Sequence, residues 1–317
     1  NSAGAMLWQR RMSSPLLGNL TVNAVATDSS GNLFVTGYGS STGATDIYTA
    51  KLSGADGSTM WEKADGGSNN VHDLARTIAV DPSGNVIVGG TSGTFSGPAR
   101  TIKYAGSNGT VLWNRSYSSS SNSYNVINDL KCDASGNVVV TGSGGGDIYT
   151  AKYAANNGSV LWEKRYNGPA NSTESGFALA LDSGGNAHVT GYSDSGSTTR
   201  DDLIALKYSA SNGTQLWERR INGTANGDDA GVHIACDSQG NPTIFGFRQT
   251  NPGNIAKSFY LVECSANNGS ILWEKTENGP GYFETYESDR LVLDAQGNAI
   301  VTNNGYVDGR EVTVTAK

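Results

Sequence analysis

Charge is scarce in this sequence: Asp, Glu, Lys and Arg together make up 16% of its 317 residues. The 22 basic residues are outnumbered by 29 acidic ones, giving a formal net charge of -7. Phosphate binding needs a basic stripe, and none is visible, so no nucleic-acid partner is expected. No apolar stretch approaches the ~18 residues of a spanning helix, so no membrane insertion is expected either. The opening Asn-Ser-Ala-Gly-Ala-Met lacks the basic and apolar regions of a signal peptide, which predicts that any export signal is already absent. Histidine is limited to His72, His188 and His233, and there is no HExxH, no Walker loop and no Cys/His cluster of metal spacing. Neither a metal site nor a cofactor is expected.

Cysteine is equally sparse. Cys132 and Cys236 occupy one repeat position in units a full blade apart, and Cys264 lies two strands from Cys236, roughly 9.6 Å at ordinary strand spacing. A disulfide needs Cα atoms within about 7 Å. Three free thiols acting as small core hydrophobes follow, and the redox compartment stays open.

What the sequence has instead is Gly, Ser, Thr and Asn, without runs of strong helix formers, a mixture that suits short strands and tight turns. Two motifs alternate along it. One is an aliphatic residue or Met followed by Trp, at Trp8, Trp61, Trp113, Trp162, Trp217 and Trp273. The other is Asp-x-x-Gly-Asn, beginning at Asp28, Asp81, Asp133, Asp182, Asp237 and Asp294. Both step by 49 to 57 residues, the signature of a repeat architecture.

Each unit reads as four strands. Strand a ends before the Asp, b follows the Asn, c is a segment such as Asp147 to Tyr153, and d carries the Trp. The a–b and c–d connections combine an Asx turn with a Gly able to take positive φ, so consecutive hairpins form a meander. Six such meanders predict an all-β, six-bladed β-propeller of four-stranded antiparallel blades, a single domain spanning 1–317. The chain enters on strand d (Met6 to Arg11) and leaves on strand c (Glu311 to Lys317). The N-terminal strand is therefore expected to complete the last blade and close the ring.

Units reading Ile-Ala-Val-Asp-x-Ser-Gly-Asn-Val-x-Val-x-Gly, Thr-Ile-Lys-Tyr and Asn-Gly-x-x-Leu-Trp resemble the bacterial SBBP-type β-propeller repeat. More distantly they are similar to NHL and YWTD propellers. The resemblance covers the whole chain. It implies an exported or surface-associated bacterial protein, and it carries no catalytic set.

A residue present in every unit is most simply structural. The six Trp are expected to pack blades together. The Asp-x-x-Gly-Asn turns look like part of a calcium loop, but they lack its later bidentate Glu and extra carboxylates, so turn chemistry accounts for them. Lys51, Lys103, Lys152, Lys207 and Lys317 share one strand c position, taken by Glu263 in blade five; pairing with Glu of neighbouring strand d is expected. The string Gly39-Ser40-Ser41-Thr42-Gly43 matches a nucleophile elbow but has no helix after it.

Departures from the pattern point to a working face. The tight a–b and c–d turns lie at one end of the blades, while the variable d–a and b–c loops lie at the other, where function is expected. Strand a lines a channel, and its variable positions near the mouth include Arg76, Asp129, Lys131, His233, Asp289 and Arg290, with Asp73, Glu174 and Asp229 at the rim. Charges there are costly unless paired or ligand-bound. Lys131 with Asp129 is one internal pairing, and a polar-ligand site at the mouth is the alternative. The d–a loops add the aromatics Tyr117, Tyr124, Tyr166, Tyr282, Phe283 and Tyr286.

These features suit a non-catalytic binding or structural module of the bacterial cell surface, contacting protein or glycan through the d–a/b–c face. An alternative is a glycan lyase or hydrolase using His233, Arg290 and a carboxylate such as Asp229 or Glu284, which requires those side chains to converge. A lectin is the third reading, disfavoured by the unequal loops.

Overall fold

The computed structural model describes residues 6–40, 43–66, 71–93, 97–119, 124–196, 200–249, 257–277, 290–307 and 310–316, with the backbone alone at 277, 290 and beyond 302. Among them every regular element is a strand, and no helix is long and apolar enough to cross a membrane. Two compact units emerge, residues 1–145 with 152–161 and residues 146–151 with 162–317.

The first unit holds two whole sheets of sequential antiparallel strands. These are β1 (Gly18–Thr27), β2 (Leu33–Ser40), β3 (Thr45–Leu52) and β4 (Thr59–Asp65), then β5 (Asp73–Val80), β6 (Val86–Ser92), β7 (Ala99–Tyr104) and β8 (Val111–Tyr117). A third sheet, also in sequential order, contributes to both units: β9 (Asn125–Cys132), β10 (Val138–Gly144), β11 (Asp147–Tyr153) and β12 (Val160–Tyr166). The second unit adds β13 (Glu174–Leu181), β14 (Ala187–Asp194), β15 (Asp201–Tyr208) and β16 (Gln215–Ile221). Next come β17 (Ala230–Cys236), β18 (Pro242–Gln249), β19 (Lys257–Cys264) and β20 (Ile271–Glu277). A three-stranded sheet ends the chain, with β21 (Arg290–Leu293), β22 (Ala299–Val307) and β23 (Arg310–Ala316).

The two middle strands of a sheet are buried on both faces, as β6 and β7 are throughout, and they read as near-continuous apolar and Thr-rich runs. Core clusters form where one sheet lies on the next: Phe34, Ile47 and Trp61 of the first sheet pack with Val88, Ile102 and Tyr104 of the second. Leu203 and Trp217 pack likewise with Ile244 and Tyr260. In the Asp-x-x-Gly-Asn turns one carboxylate oxygen accepts two backbone N–H groups, for example Ser83 at 2.9 Å and Asn85 at 2.8 Å on Asp81. The turn glycine takes φ of +80° at Gly84, where a Cβ would be strained.

The first strand of five sheets carries a β-bulge at one equivalent place. Asn23, Arg76, Asn128, Phe177 and Val232 are the extra residues that the ladder skips. Opposite each bulge stands Gly37, Gly90, Gly142, Gly191 or Gly246. A Cβ on any of them would collide with a carbonyl oxygen of the bulged strand. In the last sheet Asn303 occupies that position, and its edge strand β21 is only four residues long.

The N-terminal segment departs from expectation. Residues 6–17 belong to no described strand. Trp8 nevertheless sits against the first sheet as the other Trp side chains sit against theirs.

Candidate functional site

The residues common to every repeat converge at the turn end of the sheets, in one joint built several times. Trp61 Nε1 donates to Gly106 O at 3.1 Å, Trp113 to Ala155 O at 3.2 Å, Trp162 to Ala210 O at 3.2 Å and Trp217 to Ala266 O at 3.1 Å. Trp8 reaches Gly54 O at 2.9 Å in the same way. Each acceptor lies in the c–d turn of the following sheet. That turn's positive-φ glycine must lack a side chain: a Cβ at Gly109 would lie 2.7 Å from Trp61 Cε3. The four indoles 61, 113, 162 and 217 are 6–8% exposed, whereas Trp273 is 39% exposed. The expected packing role holds for those four.

The four strand c lysines among the described residues pair not with Glu of strand d but with the turn aspartates, while Lys317 lies outside the described residues. Lys51, Lys103, Lys152 and Lys207 meet Asp28, Asp81, Asp133 and Asp182 at 3.0, 2.6, 2.9 and 3.0 Å. Three of these ammonium groups also donate to the carbonyl that accepts the Trp, namely Gly106, Ala155 and Ala266. The pairs are largely buried, and the ladder sets the lysine opposite the Trp, as Lys51 opposite Trp61, so that the Glu one residue on belongs to the other face of the sheet. The Glu side chains accept tyrosine hydroxyls instead, as Glu62 does from Tyr48 at 2.8 Å and Glu274 from Tyr260. Burial pushes the Asp182 carboxyl up, but hydrogen bonds from Asn186 and Lys207 outweigh it and hold the group at about 2. The turn oxygens that resemble part of a calcium loop are thus engaged by an ammonium. The turn asparagine completes the joint: Asn137 Oδ1 accepts Ala155 N at 3.1 Å. In the fifth sheet Glu263 replaces lysine and accepts Thr243 Oγ1 at 3.2 Å.

All three cysteines are free. Burial pushes the Cys132 and Cys236 thiols up to about 12 and Cys264 to about 11, so they are un-ionised packing groups.

At the opposite end the sheets differ from one another. The rim carboxylates are buried, Asp73 at 0%, Glu174 at 1% and Asp229 at 1% exposure. Asp229 accepts Gln249 N at 2.8 Å and also Gly223 N, so it ties a d–a loop to strand b. Burial is the main reason its carboxyl rises to about 6, against these backbone bonds. Asp201 also rises to about 6, through burial and then the charges of Asp228 and Asp194. Lys257, facing Asp228, Asp201 and Asp229, lies 3.9 Å over the Phe247 ring.

Tyr166 is not a loop aromatic but a buried residue of β12, donating to Glu218 at 2.7 Å and accepting from Arg220 Nη2 at 3.3 Å. The Arg220 guanidinium also holds Ser193, Ser195 and Asp202. Tyr117 ends β8 half-buried. Tyr124 precedes β9, and its hydroxyl accepts Arg76 Nη2 at 3.1 Å. Lys131 pairs with Asp129 at 2.7 Å, and Thr77 Oγ1 donates to the same carboxylate at 3.3 Å.

His233 follows the bulge of β17, opposite Phe245, and Arg290 begins β21. Tyr282, Phe283, Glu284, Tyr286 and Asp289 lie outside the described residues. Of the residues considered for catalysis, Asp229 is committed to backbone amides. Sequence reasoning missed the bulge, although the recurring Gly late in strand b was its signal.

No curated protein matches the chain. Among solved structures it is similar to the quinohemoprotein alcohol dehydrogenase of Comamonas testosteroni, with 10% identity and a TM-score of 0.52, covering 87% of this chain and 62% of that one. It is similar to the Dos1 propeller at 12% identity and TM-score 0.53, covering 90% and 66%. A polysaccharide lyase, an ulvan lyase, aligns at 11% identity and TM-score 0.51, covering 92% and 77%. The chain thus spans less than two thirds of the length of the first two, and at these identities the likeness is one of fold, the β-propeller. A family model described as outer membrane protein assembly factor BamB (PQQ_2) matches residues 1–200, more than half of the sequence, and the chain belongs to that family.

Proposed function

We propose that the protein is a non-catalytic binding module of the bacterial envelope, secreted or at the cell surface, that contacts a partner protein through its d–a/b–c loop ends. The observation that carries this reading is the division of labour along each sheet. The repeated Trp, Lys, Asp, Asn and Gly are consumed by inter-sheet joints at the turn end, while the loop end differs from sheet to sheet. Membership of a family described as an assembly factor supports a protein partner over a glycan. We read the repeat as SBBP-type and the six sheets as one closed six-bladed ring. Closure is supported by Trp8, which takes on the first sheet the seat a preceding sheet's Trp would take.

The test is site-specific photocrosslinking in envelope extracts, with the probe at Tyr117 or Ser195 on the loop end and at Asn108 or Asn157 in the c–d turns. Adducts to one protein from the loop-end probes alone are expected. Adducts from the turn-end probes, or none at all, would sink the reading.

A further inference from the structure

The β-bulges do more than bend their strands. A bulged residue stands outside the ladder, so its side chain is re-aimed while its neighbours keep the alternation that packs the sheet. Strands β1, β5 and β9 lie side by side within the first unit, and their bulged residues are Asn23, Arg76 and Asn128. All three carry hydrogen-bond donors. The second unit puts Phe177 and Val232 at the same position, with Phe177 stacked 5.4 Å from Tyr192. Among the described residues the donor row is confined to the first unit.

Its first two members are tied to the sheet that follows each. Asn23 Nδ2 donates to Ala75 O at 2.7 Å, one residue from Arg76, and Arg76 Nη2 donates to the Tyr124 hydroxyl at 3.1 Å, at the loop end of the next sheet. That bond uses one of the five guanidinium donors and holds the group toward the neighbouring sheet. The neighbouring cations are neutralised: Arg100 lies 3.7 Å from Asp73, and Lys131 lies 2.7 Å from Asp129. Arg76 is exposed and has no carboxylate partner among the described residues. A planar fork, oriented in advance and flanked by amides, matches a carboxylate held through two parallel N–H···O bonds. The net charge of -7 leaves little long-range attraction for anions, so such recognition must be local.

We propose that Arg76, oriented by Tyr124 and flanked by Asn23 and Asn128, is the anchor for an acidic side chain of a partner protein. This rests on the reading of the loop end as a protein-binding face and names the chemistry it selects.

The test is a ¹⁵N NMR titration of the full chain with an acetylated, amidated hexaglutamate peptide. Shifts at Arg76 Nε and the Asn23 and Asn128 side-chain amides are expected. Arg76→Ala should weaken binding roughly tenfold or more. Arg76→Lys should recover only part of it, since a point charge replaces the fork. Arg165→Ala, in the second unit, should leave it unchanged. Circular dichroism of Arg76→Ala should match the parent, because the side chain is exposed. Peptide binding indifferent to Arg76, or no binding, would overturn the assignment. So would binding of trigalacturonate in place of the peptide. Loop-end crosslinks that survive Arg76→Ala unchanged would overturn it and leave the broader reading standing, whereas absent crosslinks remove both.

Discussion

Trp61 and Lys51 donate to the same carbonyl oxygen: the indole Nε1 and the ammonium each lie 3.1 Å from Gly106 O. The carbonyl has two lone pairs, and the two donors occupy both. An aromatic from strand d and a cation from strand c of one sheet thereby grip one turn of the next. The lysine is held in turn by Asp28 at 3.0 Å. A buried cation, its counter-ion and a neighbouring backbone dipole then satisfy one another.

Removing one member of that set should be costly. Lys103 and Asp81 lie 2.6 Å apart with side chains 3% exposed. Lys103→Met leaves a buried carboxylate unpaired and should lower unfolding stability by about 3–5 kcal/mol. Adding Asp81→Asn should recover part of the loss. Urea denaturation of the two variants measures both, and an unchanged midpoint for the single variant would contradict the joint.

The indole contributes both volume and a donor. Trp113→Ala should cost about 3–5 kcal/mol through the cavity left against Gly158. Trp113→Phe keeps part of the ring but orphans the Ala155 carbonyl on one side, and should cost about 1–3 kcal/mol. Equal losses for the two would mean that the hydrogen bond contributes nothing.

The bulge predicts a strict requirement for glycine. At Gly90 an added Cβ meets the Leu74 carbonyl oxygen, which is backbone and cannot rotate away. Gly90→Ala should therefore destabilise by about 2–3 kcal/mol, although alanine ordinarily suits a strand at least as well as glycine. Thermal melts compared with Gly84→Ala, where nothing lies within 4 Å, separate this clash from positive-φ strain.

His188 should make stability depend on pH. It is fully buried, and desolvation and then Lys207 push its imidazole down to about 4, against Asp182. Between pH 6.5 and 4 the unfolded chain binds a proton that the folded one refuses, so stability falls as pH falls, by about 3 kcal/mol at most. Asp201 and Asp229, raised to about 6, act oppositely, adding stability as pH drops from 6 toward 4. The difference between the parent and His188→Val isolates the imidazole. A difference independent of pH would refute the assignment.

The fifth sheet invites repair. Asp237 has no strand c lysine above it, because Glu263 stands there. Glu263→Lys should restore the ion pair and raise stability by about 1 kcal/mol, read as a higher melting temperature.

Much of this was legible in the residues. The Asp and Gly of the turns declare a local conformation that depends only on the next four residues, and the bonds on Asp28 from Ser30 and Asn32 are the expected ones. The lysine partner was not legible. Lys51 could reach either Glu62 or Asp28, and the choice depends on which face of strand c is turned inward beside a neighbouring sheet. Asp73, Glu174 and Asp229 read as rim charges, because spacing cannot show that Glu174 and Asp229 are folded back onto backbone amides or that Asp73 is buried beside Arg100. Variability at Arg76 was visible, but its cause, a one-residue slip in the ladder, is a property of two strands at once.

That slip also decides how such a chain can diversify. The residues on either side of a bulge are bound to the in-and-out alternation, and the joints at the far end are bound to one another. The bulged residue answers to neither constraint. Exchanging Arg76 for another side chain rewrites what the surface displays without re-registering a strand or loosening a joint. Each of the five bulged sheets therefore offers one letter that can change alone, and a row of such sheets spells a short word that selection can edit one position at a time.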